Sequence, residues 1–219
     1  MTDVAAHRAP LLTWVDDDAG ERVELTAAEL GDAAAATAAL LTDGCGLGPD
    51  ATAAVLAPPH WQTAAVLLGA WAAGVQVSYQ GWATAGLATP PPVDVSFVAA
   101  ARATSWLEQP PVAEHPFALF GAADGYRSFD DEVRAFAAAR PPAVNLPAGA
   151  AAGPDGVTYR QWGALAAEIA AQRGFGPGDV VRVGADSHEQ PVTWLLAPLA
   201  AGASVLIVAG SADPAAALA

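Results

Sequence analysis

The sequence predicts an α/β fold of two pseudo-symmetric, Rossmann-like halves, each a mostly parallel sheet covered by helices, with the second half cut short. Three observations predict it. Short apolar strands alternate with alanine-rich helices, an internal repeat relates the two ends of the chain, and 219 residues with 53% hydrophobic content suffice for a sizeable core.

The repeat emerges when His60 to Val77 is set over His188 to Val205, an offset of 128 (188 − 60). The segments HWQTAAVLLGAWAAGVQV and HEQPVTWLLAPLAAGASV agree at 8 of 18 positions, including the opening His and Gln and the Leu-Leu pair. The same offset pairs Gly48-Pro49 with Gly176-Pro177 and Val55 with Val183. A period this long that occurs twice marks related halves and not a solenoid. The halves are assigned to residues 1–142 and 143–219, together one compact domain.

In the first half, Arg22 to Leu25 reads as a strand, with Thr26 and Glu29 as a capping box before a helix over Ala27 to Leu41. A turn at Gly46 to Asp50 leads to a strand over Ala53 to Ala57, a helix over Pro59 to Ala73 stopped by Gly74, and a strand over Val75 to Tyr79. The second half repeats the order. A strand over Gly156 to Tyr159 precedes a helix over Gln161 to Gln172, the turn Gly176 to Asp179, a strand over Val180 to Val183, a helix over Pro191 to Ala201 and a strand over Ser204 to Val208. Between them come a strand over Val95 to Ala99 and helices over Ala101 to Glu108 and Phe129 to Ala139. The proline-rich stretches Pro110 to Pro116 and Pro141 to Pro147 read as surface loops.

The net charge of −14, from 23 acidic and 9 basic residues, argues against nucleic acid and membrane surfaces as partners. All nine basic residues are arginines, so no mechanism can draw a lysine from this chain. A single cysteine, Cys45, leaves no internal disulfide, and the start MTDVAAHR lacks the apolar core of a secretory signal, which places the chain by default in the cytoplasm. The uncharged run from Gln190 to Ala212 is long enough to span a membrane, but Pro191, Pro198 and Gly202 interrupt it and Val205 to Val208 is strand-like.

The order GERVELT, a helix, GLGPD, an apolar strand, LAPP and then AAVLLGAWAAGV resembles the opening of acyl-CoA synthetases and related AMP-binding, adenylate-forming enzymes over residues 10–80. More closely, the chain resembles a group of short proteins from GC-rich bacteria. The resemblance implies an N-terminal domain of two Rossmann-like subdomains, and AMP, ATP or an acyl-CoA-like compound as the ligand to test. It also implies that the family's adenine- and ribose-binding elements and its small C-terminal domain with the catalytic lysine would fall beyond Ala219.

The family's phosphate loop has the pattern Ser-Gly-Thr-Thr-Gly-x-Pro-Lys-Gly-Val. Its gapless equivalent here is Ala148-Gly149-Ala150-Ala151-Ala152-Gly153-Pro154-Asp155-Gly156-Val157. Every hydroxyl has become alanine, the second glycine has become Ala152, and the lysine has become Asp155. Such a loop works through backbone N–H groups, hydroxyls and a nearby cation. Exchanging the cation for a carboxylate turns attraction into repulsion, worth about 1–4 kcal/mol at ~4 Å. The expectation is a degenerate loop and no cofactor.

His188 falls where the family often has a histidine beside the acyl-adenylate pocket, and is the candidate catalytic residue; the alternative is a polar cap at a helix start, like His60. His7, His60, His115, His188 and Cys45 are too scattered for a metal site, and Asp16-Asp17-Asp18 with Gly20 reads as a solvated hairpin tip. Trp71 and Trp194 read as core, while Trp61 and Trp82 could line a groove. No serine sits in a Gly-x-Ser-x-Gly elbow. Three functions compete: a catalytically degenerate module that binds a small acyl or nucleotide-like ligand or a protein, a residual acyl-adenylate-handling enzyme completed by a partner, and a structural subunit or homo-oligomer.

Overall fold

The computed structural model describes residues 9–79, 91–103, 110–140, 146–187 and 189–210. The chain opens with an antiparallel hairpin, β1 (Leu12–Asp16) and β2 (Glu21–Leu25), whose tip is the acidic run: the Asp16 carboxylate accepts the N–H groups of Asp18 and Ala19. Thr26 then caps α1 (Ala27–Ala39). Its hydroxyl oxygen accepts the Glu29 N–H while the Glu29 carboxylate accepts the Thr26 N–H at 2.8 Å, the capping box expected from sequence. A π-helical turn, Leu40–Gly44, ends the helix.

β3 (Thr52–Leu56), α2 (Trp61–Ala73) and β4 (Gln76–Tyr79) form a parallel βαβ unit, with Gly74 closing α2 in the left-handed conformation at φ 83°. β5 (Val93–Ala99), the short α3 (Ala100–Ala103), β6 (Ala113–Leu119), β7 (Arg127–Ser128) and α4 (Phe129–Arg134) complete the first sheet. Its strand order is β4-β3-β5-β6-β7, all parallel. α5 (Tyr159–Arg173), β8 (Val180–Gly184), a π-helical turn Val192–Leu196 running into α6 (Ala197–Ala200), and β9 (Ser204–Ala209) follow. The second sheet runs β2-β1-β9-β8, parallel except for the hairpin. It therefore joins both ends of the chain, across the division expected at residue 142. The repeat carries one βαβ unit onto the other: an offset of 128 takes β3 at 52–56 to β8 at 180–184.

Four sequence expectations are corrected. Pro110 to Pro116 is not simply a loop, because β6 begins at Ala113 and takes in Pro116. That proline precedes the point at which β7 pairs, at Phe117, so no ladder bond is lost on that side. Gly156 to Tyr159 is not a strand. It makes one antiparallel bridge, Ala151 with Thr158, and Thr158 then serves as N-cap of α5 in a capping box with Gln161. The helix from Phe129 stops at Arg134 and continues only as turns, and strand β7 lies where none was expected, whereas β1 is the first arm of the hairpin whose tip was read at Asp16 to Gly20. Of the helix over 101–108, α3 is described through Ala103; residues 104–109 lie outside the described set, as do 141–145 of the second proline-rich stretch. No described helix is long and apolar enough to cross a membrane.

One continuous core joins Leu12, Trp14, Val183 and Ile207 of the second sheet to Val55, Phe97 and Phe117 of the first, with α2 between them. α1 and α2 approach closely because their facing residues are small. A Cβ built on Gly69 would stand 2.6 Å from the Ala34 carbonyl oxygen and 2.6 Å from Thr37 Cβ. Gly69→Ala must therefore push the helices apart and should cost roughly 1–3 kcal/mol or more in urea unfolding. Gly31→Ala, on the exposed side of α1 with nothing within 4 Å of its Cβ, should stabilise by up to ~1 kcal/mol through helix propensity. Equal effects at both sites would refute this packing.

Candidate functional site

The loop at 148–157 precedes α5, as a phosphate loop should, but it is docked against the first half. The Ala152 carbonyl accepts the Val77 N–H of β4 at 2.9 Å and the Trp71 indole N–H of α2 at 3.2 Å. The Tyr159 hydroxyl donates to the Trp71 carbonyl at 3.1 Å. Ala152 and Gly153 are buried, and a Cβ on Gly153 would lie 3.2 Å from the Val77 carbonyl oxygen. A side chain there would push the loop a few tenths of an ångström off β4.

Several of the loop's N–H groups serve the protein itself. Ala150 donates to Pro147, Ala152 to Val157, Gly156 to Gly153, Tyr159 to Ala150 and Arg160 to Ala148. The Val157 N–H donates to the Asp155 carboxylate at 3.2 Å, so the loop carries an anion of its own against its backbone. Gly149 and Ala151 sit in the same turn, and the exposed Pro154, Asp155 and Gly156 form its tip. Gly156 has φ of 81°.

Two cavities flank this loop. A small pocket of about 160 Å³ is lined by Trp71, Ser78, Tyr79, Asp155, Trp162 and Gln190, among others. An almost wholly apolar groove of about 420 Å³ runs between α5 and α6 over Ala152, Tyr159, Trp162, Leu196 and Leu199. Trp71 and Trp162, with ring centroids 6.2 Å apart, border both. At the end of β4 the Tyr79 hydroxyl and the Trp194 indole N–H are buried close together without closing a hydrogen bond of normal geometry. Burial is the main cause pushing the Tyr79 phenol up.

Trp194 is fully buried, as expected, whereas Trp71 is a partly exposed wall and anchor and not core. Trp61 lines a groove of about 410 Å³ with α1 and α4, while Trp82 lies outside the described residues. His188 also lies outside them. Its neighbours Ala185 and Asp186 line a cleft of about 300 Å³ with Pro58, Val208, Ala209 and Gly210, at the ends of β8 and β9. Among the described residues no three His, Cys, Asp or Glu side chains gather as a metal site. Sequence reasoning did not find Trp162, Tyr159 or Gln190, which become neighbours only when α5 folds back on α2.

His60 is the cap the repeat suggested: its Nδ1 accepts the Gln62 N–H at 3.1 Å, which puts the ring proton on Nε2. Its ring sits between Trp14 of β1 and Phe120 after β6, both with centroids 4.2 Å away, and so bridges the two sheets. Desolvation lowers its pKa to about 3, against a smaller raising effect of Asp16. An unfolded chain takes up a proton below about pH 6.5 that the folded one refuses until about pH 3. His60 thus removes stability as pH falls through that window, by up to about 1.4 kcal/mol per unit. His60→Asn, which keeps a capping oxygen, should flatten urea-derived stability between pH 7 and 4 by roughly 2–3 kcal/mol relative to wild type. An unchanged pH slope would contradict the buried neutral ring.

A doubly covered parallel sheet, a second sheet joined to it, and a glycine-bearing loop before a helix define the fold of the large N-terminal domain of adenylate-forming enzymes. Comparisons agree. VinN matches over 94% of this chain and 53% of its own, with TM-score 0.67 and 17% identity. A benzoate CoA ligase from Burkholderia xenovorans matches over 96% of this chain and 44% of its own, with TM-score 0.66 and 18% identity. An anthranilate CoA ligase in complex with anthranoyl-AMP matches over 95% and 43%, with TM-score 0.64 and 15% identity. In fold the chain resembles these CoA ligases and VinN, and it spans about half of their length. A Mycobacterium tuberculosis protein, named only by its family number, is 51% identical over 67 residues, 31% of this chain and 28% of its own. No family model matches the chain.

Proposed function

We propose that this chain is a small-ligand binding module on the adenylate-forming fold, one that does not activate a carboxylate with ATP. The loop at 148–157 carries the reading. The N–H groups of Ala150, Ala152, Gly156 and Val157 are taken up by protein oxygens, the loop's hydroxyl positions are Ala148, Ala150 and Ala151, and Asp155 stands where the resembled family's pattern has a lysine. A triphosphate approaching it would meet a cradle with several of its donors already engaged, no hydroxyls and one like charge. Clefts remain beside the loop, apolar with a few polar groups, as small-molecule sites are. Millimolar Mg·ATP or AMP should leave the melting temperature unchanged, and no AMP or pyrophosphate should form with any carboxylate. Nucleotide-dependent stabilisation, or AMP release, would overturn the reading.

The outer edge of β8 favours a second reading, an assembly subunit. It is unpaired among the described strands, and Val180 on it is 64% exposed. Dimerisation lost in Val180→Lys, together with indifference to every small ligand, would decide for it; a monomer with a ligand-dependent melting temperature decides for the first.

A further inference from the structure

We propose that the pocket bounded by Asp155, Trp71 and Trp162 is a cation site that takes a primary ammonium on a short apolar or aromatic stem. The inference rests on the binding reading above and names the chemistry of its ligand.

Three features converge on it. The first is charge. Asp155 is the only ionisable carboxylate or base lining the pocket, its other polar liners are neutral, and no arginine borders it. Asp155 is also held in place. One carboxylate oxygen accepts the Val157 N–H, which fixes the side chain against its own loop. The other oxygen makes no hydrogen bond among the described residues and is available to a donor.

The second feature is aromatic. Trp71 and Trp162 lean together at an interplanar angle of 44°, on the same pocket as the carboxylate. Indole faces attract cations, and an ammonium between a carboxylate and an indole gains from both. Trp71 is rigid, because its indole N–H is bound to the Ala152 carbonyl and its own carbonyl accepts the Tyr159 hydroxyl. No cationic side chain lines the pocket to receive an anion.

The third feature is size and hydrogen bonding. About 160 Å³ holds an ammonium head with a short stem, but not a nucleotide. Ser78 and Gln190 add neutral oxygens for the remaining ammonium donors. The position that attracts phosphate in the fold's relatives has thereby become one that attracts the opposite charge.

The test is titration calorimetry with 2-phenylethylamine and 3-phenylpropionate, which share a ring and stem and differ in the sign of the head. The amine should bind at least threefold tighter to the wild-type protein. Asp155→Asn keeps an oxygen for the Val157 N–H and should erase that preference while leaving the melting temperature within a degree or so of wild type. Asp155→Lys should reverse the preference. A ratio below threefold, tighter binding of the carboxylate, no binding of either probe, or a preference that survives Asp155→Asn would each overturn the inference. The module reading fails separately, on ATP-dependent AMP release, whichever way the two probes rank.

Discussion

Everything in this molecule hangs on α2, a helix with no solvent face to speak of. Its sequence WQTAAVLLGAWAA is apolar all round, and nine of its thirteen residues are buried, including Gln62, Thr63 and Gly69. A helix of that kind is stable only inside a protein. It is enclosed by α1 on one side, by its own strands β3 and β4 on another, and by β1 of the second sheet. His60 at its start touches both sheets, and Trp71 near its end holds the loop at 148–157. The two halves share one helix, so the cleft between them inherits its rigidity.

That arrangement explains what the sequence revealed and what it hid. Local chemistry was legible: Thr26 with Glu29 gave the start of α1, Gly74 the end of α2, and the 128-residue repeat put β8 on β3. Features whose meaning depends on distant partners were not. β1 looks like an ordinary stretch before an acidic tip, and becomes a strand because β9, almost two hundred residues later, supplies a parallel ladder. Pro116 argued against a strand, yet β6 holds it opposite Ser96 of β5 and ahead of the point where β7 pairs. Val157 and Thr158 have strand propensity, but Thr158 gains more as a helix cap.

The site divides in the same way. The position of the loop and the loss of its hydroxyls and cation were visible in the residues themselves. That the loop is sealed onto β4 was not, because its two key donors, the Val77 N–H and the Trp71 indole, come from some eighty residues earlier. Trp71 counted as core from its apolar neighbours; in three dimensions it is a wall shared by two cavities.

On the proposed reading, loss of charge and loss of access are distinct defects, and the loop carries both. A loop that had only exchanged its cation for Asp155 would keep an open set of N–H donors, and a single reversal of charge would return much of its attraction for phosphate. Here the donors of Ala152, Gly156 and Val157 are engaged within the loop, and the Ala152 carbonyl fastens it to two elements of the first half. Freeing the Ala152 donor means breaking a hydrogen bond at a buried residue, which leaves an unsatisfied group at about 1–3 kcal/mol. Restoring a lysine at 155 would therefore repair the electrostatics and leave the Ala152 donor engaged. The loop behaves as a strut between the two halves that happens to present a carboxylate, and its geometry is set by β4 and α2, not by a ligand's phosphates.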